Sequence, residues 1–177
     1  MSQDLPAKRF AELVTERTVE RFLLRLFLRD ARFRGLCIVA PFISALQDAR
    51  FSLRDLREKV EQERVPTYVV TREPTETYQA AAMSVLLGSP WIELRYNSAL
   101  HAKVYIATAE HAPDSFALFG SANLTSKAIE TNVELGMLVY SDGPGREILR
   151  ELHYWASVRV RTLRESRLIQ SIQANRR

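Results

Sequence analysis

Two stretches of the chain carry the side chains best suited to chemistry: His101-Ala102-Lys103 and, downstream, Gly120-Ser121-Ala122-Asn123 followed by Asn132-Val133-Glu134. In an extended chain, residues two apart point to the same side. Within the strand-like HAKVYIA, His101, Lys103 and Tyr105 therefore share one face, and Ala102, Val104 and Ile106 the other. An imidazole is a nucleophile or proton-transfer group near neutral pH, and a lysine beside it is a positive charge suited to a phosphoryl oxygen. Gly120 lets the backbone turn tightly after the strand-like SFALF, and Ser121 and Asn123 then offer hydroxyl and amide donors where the chain leaves a sheet. Asn132 and Glu134, again two apart, fall on one face of the next strand. From there the Glu134 carboxylate could hold the second ring nitrogen of His101 and fix its tautomer. Each piece alone has a plain reading as an exposed strand face, an ordinary turn or a solvated edge. Together, and in this order, they are not ordinary.

These residues need a sheet to hold them, and the first half of the chain supplies alternating elements. Residues 8–30 place Phe10, Leu13, Val14, Phe22, Leu23, Leu26 and Phe27 at three- and four-residue steps, which predicts an amphipathic helix. The apolar run Leu36 to Phe42, after Gly35, predicts a buried strand. A helix is expected over about 44–62, ending before Pro66, then a short strand at Tyr68-Val69-Val70 and a helix over 75–87 closed by Gly88. From Trp91 the pattern becomes a series of short strands, near 91–96, 101–107, 115–120 and 132–140. Pro144 opens a last helix running toward Arg167, and the tail SIQANRR is expected to fray. The expectation is one α/β domain over residues 1–177, with a central mixed, largely parallel sheet and helices on both faces. No internal repeat is present, so a second copy of any motif must come from another chain.

Hydrophobic residues make up 46% of the 177, enough for one core of ordinary size. Apolar runs are short and interrupted by Arg and Asp, and the first residues lack the plan of a signal peptide, so the expectation is a soluble, cytoplasmic protein without a membrane device. The lone Cys37 sits in an apolar stretch and reads as a small core residue. Residues 144–177 hold eight Arg against three Glu, which leaves about −1 of the net +4 for everything before them. Such a segment attracts phosphate on nucleic acid or on a membrane surface, unless it is only a solvated helix face.

The order HAK, GSANLT, NVE resembles the signature block of the phospholipase D superfamily, most specifically over residues 101–134 and more loosely to the strand ending in Pro41-Phe42 and the C-terminal helix. The resemblance implies that His101 attacks phosphorus to give a phosphohistidine, that Lys103 and Asn123 bind phosphoryl oxygens, and that Ser121 and Glu134 support the site. One position departs: five residues after Lys103 the family has Asp, and this chain has Thr108. Glu110 or Asp114 in the following polar stretch could take over an acidic role, although a solvated loop is the simpler reading. His111 and His153, with no lysine two residues on, read as non-catalytic.

Family members supply two histidines, and this chain has one His-x-Lys. The resemblance therefore implies a homodimer that brings two His101 side chains together across a two-fold axis. With one carboxylate in the motif, no metal and no cofactor are expected. The expected function is a metal-independent phosphodiesterase, a nuclease acting on DNA or RNA. Catalytic roles fall to His101, Lys103, Asn123 and Glu134, and substrate contacts to Ser121, Asn132, Arg159 and Arg164. Similar single-motif proteins suggest a separate targeting or defence-system subunit as partner. The alternatives are phospholipid hydrolysis or transphosphatidylation, and a degenerate module that binds nucleic acid or a partner without catalysis.

Overall fold

In a computed structural model, residues 10–28, 30–47 and 49–173 are described. The strands are β1 (Ala11–Val14), β2 (Phe33–Val39), β3 (Thr67–Thr71), β4 (Ile92–Tyr96), β5 (Val104–Ala109), β6 (Phe116–Gly120), β7 (Gly136–Tyr140) and β8 (Arg167–Gln170). They form one sheet in the order β1-β7-β6-β5-β2-β3-β4-β8. The helices are α1 (Thr18–Leu28), α2 (Leu53–Gln62), α3 (Thr77–Leu87), α4 (Ser126–Glu130) and α5 (Gly145–Tyr154), the last continuing through a wider π-type turn, Trp155–Arg159, and a final α turn, Val160–Thr162.

β2 shows why the fold is layered. Leu36 and Ile38 join the apolar cluster beneath α1 to α4, whereas Cys37 and Val39 join the cluster beneath α5. A continuous apolar run is what a strand buried on both faces requires. Helices thus cover both faces of a mixed sheet, as expected. The parallel share is smaller than expected. β2 pairs parallel with β3, and β3 with β4, but the other five pairings are antiparallel. Helical crossovers, which parallel pairing needs, join only β2 to β3 and β3 to β4.

Three helices depart furthest from the sequence expectation. The predicted first helix splits: residues 11–14 form β1 on the edge of β7, Arg17 adopts a left-handed φ of 49°, and the helix starts at Thr18. Residues 8, 9 and 29 of that prediction lie outside the described residues. The helix expected from 44 starts at Leu53, because Ser52 forms a capping box with Asp55. Residues before it spend their backbone elsewhere, Ser44 N–H on the Leu124 carbonyl at 2.9 Å and the Ala45 carbonyl on Leu53 N–H at 3.0 Å. The last helix ends at Thr162 rather than near Arg167, which belongs to β8 against β4. Ser166 anchors that change of direction by accepting from Asn97 Nδ2 at 2.9 Å. Gln173 N–H still bonds the Pro90 carbonyl at 2.9 Å, so fraying does not begin at Ser171. Residues 174–177 lie outside the described residues.

The alternation of directions matters for function. β2, β3, β4 and β6 end, and β5, β7 and β8 begin, at the same edge of the sheet.

Candidate active site

His101 and Lys103 sit in the extended segment that leads into β5 rather than inside the strand, which starts at Val104. A turn just before them is tied down from three sides. Asn97 N–H bonds the Thr71 carbonyl at 2.8 Å, and Leu100 N–H bonds the Asn97 carbonyl at 3.2 Å. Asn97 Oδ1 accepts from Ala99 N–H at 3.0 Å, and Arg72 Nε donates to the Leu100 carbonyl at 2.8 Å. The ladder with β6 reaches as far as Lys103, whose carbonyl accepts from Gly120 N–H at 3.2 Å. Lys103 Nζ donates to the His101 carbonyl at 2.8 Å, and His101 itself is exposed.

Gly120 is glycine for a reason other than a tight turn. A Cβ there would lie 2.2 Å from the Leu135 carbonyl oxygen and 2.7 Å from Gly136 Cα. The backbones of β6 and β7 approach too closely for any side chain. The crossing is locked by Ser121, whose N–H donates to the Leu135 carbonyl at 2.9 Å and whose Oγ accepts from Leu135 N–H at 3.0 Å. The Ser121 hydroxyl donates to one Glu134 oxygen, and Asn132 Nδ2 to the other at 3.0 Å. Asn132 and Glu134 therefore lie in the loop before β7 and not on the strand. Glu134, 9% exposed, is held by Ser121 and Asn132. Among the described residues no hydrogen bond joins the His101 ring to Glu134, so the expected His101–Glu134 contact is replaced by this network. Both carboxylate oxygens are thereby occupied, one by Ser121 and the other by Asn132.

Behind that segment stands Tyr105, fully buried, its hydroxyl donating to the Ala122 carbonyl at 2.8 Å. Burial, with the Glu134 charge adding to it, holds this phenol well above its ordinary pKa, so it remains a donor throughout the neutral range. Asn123 follows immediately. Its Oδ1 accepts from Phe42 N–H at 3.3 Å, which leaves the amide Nδ2 as a donor outside that bond. Ser126 N–H bonds Ser44 Oγ at 3.0 Å, and Ile43 bridges Leu124. Asn97, Arg72, Tyr105 and Phe42, none given a role by motif, thus position the motif residues. Only Asn97 left a sequence signal, as an asparagine in a turn-like YNSAL.

The arginines divide. Arg161 makes a two-pronged bond to Glu93, 2.7 Å at each end, and its guanidinium lies 3.8 Å from the centre of the Tyr68 ring. Burial pushes the Glu93 carboxyl up, but hydrogen bonds from Arg161 and Arg95 more than offset it, and the group lies below its ordinary value. Arg167 pairs with Glu73 at 3.0 Å. Arg159 and Arg164 are exposed and, among the described residues, make no ion pair. Arg164 lies in the turn two residues before Ser166; no hydrogen bond ties either residue to the site.

At the opposite end of β5, His111 Nδ1 is 3.2 Å from Asp114 Oδ2 in an exposed turn. His153 Nδ1 is 3.4 Å from Ser157 Oγ, and burial, then the Arg34 charge, lowers its pKa. Thr108 pairs with Gly35 there, roughly 16 Å from Lys103 at strand rise. Cys37 is buried and its thiol is pushed up to about 12, consistent with a core role. Among the described residues no group of three His, Cys, Asp or Glu side chains could hold a metal ion, and no helix is long and apolar enough to cross a membrane.

The sequence profile described as "Cardiolipin synthase, PLD-like domain" matches residues 38–157. Among solved structures, the phospholipase D family member Nuc from Salmonella typhimurium is similar with a TM-score of 0.60 at 19% identity, over 91% of this chain and 99% of that one. NucT from Helicobacter pylori matches with a TM-score of 0.60 at 15% identity, over 90% and 98%. TrmBL2, an archaeal chromatin protein with a described mode of DNA binding, matches with a TM-score of 0.51 at 14% identity, over 89% and 55%. At these identities the likeness is one of fold. No curated protein matches the sequence.

Proposed function

Because its residues 38–157 carry the family profile, the chain belongs to the phospholipase D-like family, and we propose that it is a phosphodiesterase that cleaves nucleic acid through a phosphohistidine on His101. The observation that supports this reading is that His101, Lys103, Asn123 and the Ser121–Glu134 pair all lie at the edge of the sheet where β5 begins, in stretches tied to other segments through the Leu100 and Lys103 carbonyls, Asn123 Oδ1 and the Ser121 hydroxyl.

In the proposed reaction a neutral His101 ring nitrogen attacks phosphorus and the bond to the leaving oxygen breaks. That oxygen takes a proton from a second imidazole. Water then attacks the phosphohistidine, gives its proton to the same second imidazole, and releases His101. Lys103 Nζ and Asn123 Nδ2 donate to the non-bridging oxygens as charge builds on them. Ser121 and Asn132 act by holding Glu134, a positioning role in place of the direct substrate contact expected from sequence. Arg159 and Arg164 are the proposed outlying phosphate contacts.

With one His-x-Lys in the chain, the second imidazole is the partner subunit's His101, so the working unit is a dimer of one phospholipase D-like domain each. Two supports favour nucleic acid as substrate: the exposed Arg159 and Arg164, and the DNA binding described for a protein of the same fold. The family description names cardiolipin synthase, which makes phosphatidyl transfer the competing reading.

Subunit mixing tests the proposal. Wild-type protein exchanged with excess His101→Ala should lose activity well beyond dilution, because each mixed dimer lacks a nucleophile or an acid. Labelled DNA, RNA and phospholipid vesicles are to be compared with chelator present throughout. Activity that follows the wild-type subunit concentration would refute the shared site. Turnover of vesicles alone would replace the nuclease reading with the lipid one.

A further inference from the structure

Beside the site lies a cavity of about 740 Å³, between the start of α3, the 42–47 segment and α4. Asn123 and Asn132 line both the cavity and the site, so whatever fills it is continuous with a phosphate held at Lys103 and Asn123. Two aromatic rings line it, Phe42 at 37% exposed and Tyr78 at 51%. Exposed rings at a cavity wall are unusual for side chains that burial would otherwise favour. Phe42 is placed by the same hydrogen bond that places Asn123, and Arg72 lies 5.6 Å from the centre of its ring.

We infer that this cavity is a nucleobase subsite, seating the base next to the scissile phosphate, and that the protein consequently cuts single-stranded nucleic acid in preference to duplex. The inference rests on the phosphodiesterase reading above and adds the part of the substrate that reading leaves open. A base has flat faces that stack on aromatic rings and a polar edge that seeks donors and acceptors. The cavity offers both, Phe42 and Tyr78 for the face, and the Gln47 amide and Thr77 hydroxyl for the edge. An acyl chain would instead cover those polar groups without bonding them, which costs free energy. The size lies within the range of cavities that enclose small ligands, about 300–1,000 Å³. Lys127, exposed on the rim, is suited to the next phosphate along the strand. In duplex the base is stacked and paired, and its unstacking must be provided by the protein. In a single strand it is free to enter.

The test removes the base and the ring separately. A fluorescein-labelled oligothymidylate is compared with the same strand carrying an abasic residue beside the cleavage position, in wild-type protein and in Tyr78→Ala. Losing the base should weaken binding of the wild type, read by fluorescence polarisation, about 10-fold, in the range of base–aromatic stacking. In Tyr78→Ala the abasic penalty should shrink, because one of the two rings that stack on the base has gone. Circular dichroism checks that the variant folds. The abasic strand needs no variant and reads the subsite even if folding fails. An abasic penalty equal in both proteins, or none in either, overturns the inference, as does equal cleavage of single strand and duplex. If cardiolipin-containing vesicles compete with the oligonucleotide and Tyr78→Ala weakens the vesicle instead, the cavity takes lipid and the inference fails. Loss of turnover on bis(p-nitrophenyl) phosphate with the abasic penalty intact would overturn the phosphodiesterase reading while leaving the base subsite standing.

Discussion

The two edges of the sheet hold similar residue types in different ways. At the edge where β5 begins, His101, Lys103, Asn123 and Glu134 are supplied by three stretches of chain, and each stretch is fastened to another by backbone or side-chain bonds. At the edge where β5 ends, His111 pairs with Asp114, three residues away, and His153 lies against Ser157 on its own helix and feels the Arg34 charge. The larger charged group toward that end, Glu93 with Arg161 and Arg95, is closed on itself. A side chain positioned from several segments can meet a substrate without reorganising, which is where electrostatic catalysis gains most. A charge satisfied by its own neighbours contributes to folding instead.

The largest expected effect separates the two edges directly. His101→Ala should reduce phosphodiester turnover by about 10³-fold or more, as removal of a nucleophile does, whereas His111→Ala and His153→Ala should stay within about two-fold. Comparable losses from all three, measured on one substrate with folding checked by circular dichroism, would abolish the distinction.

The next is an effect on stability at the opposite end. Glu93→Gln removes one partner of a buried pair and should cost about 3 kcal/mol in denaturant unfolding, with turnover per folded molecule unaltered. The sign of its pH dependence follows from Glu93 lying below its ordinary value of 4.5 when folded. The stabilisation is present in full above that value and is lost as pH falls through the depressed folded pKa. Wild type should therefore lose stability in acid more steeply than Glu93→Gln, and parallel acid-unfolding curves would show that the cluster contributes nothing.

The smallest effect sharpens the comparison. Thr108 stands where the family has Asp, but it lies toward the far edge, in a cavity lined also by Arg34, Arg146 and Arg150. Thr108→Asp should change turnover by less than about two-fold. A gain of 10-fold or more would mean that the far edge acts on the chemistry after all.

Much of this was legible in the chain itself. The apolar run of β2 announced a strand buried on both faces, whereas the motif residues, expected on strand faces, lie in the segments just before β5 and β7 and just after β6. Boundaries failed where tertiary bonding competed with local pattern. Phe10 to Val14 continue a helical stripe, yet β7 offered its edge to residues 11–14. Ser44 and Ala45 suit the start of a helix, yet their backbone groups bond Leu124 and Leu53. Arg161 and Arg167 looked like members of a basic run until Glu93 and Glu73, distant in sequence, were brought against them.

The sequence by itself singled out the residues proposed to act on a phosphodiester, because nucleophile, cation and amide donor are properties of side-chain type. Only the tertiary structure decided how they are held. Glu134 bonds Ser121 and Asn132 rather than His101. Gly120 is required by the approach of β7. Phe42, just beyond β2, and Tyr78, from α3, come together to line a cavity beside Asn123. Apart from Asn132 and Glu134, the partners are separated along the chain, and the outcome depends on which donor, acceptor or ring the fold brings within about 3–4 Å, where hydrogen bonds and contacts have their strength.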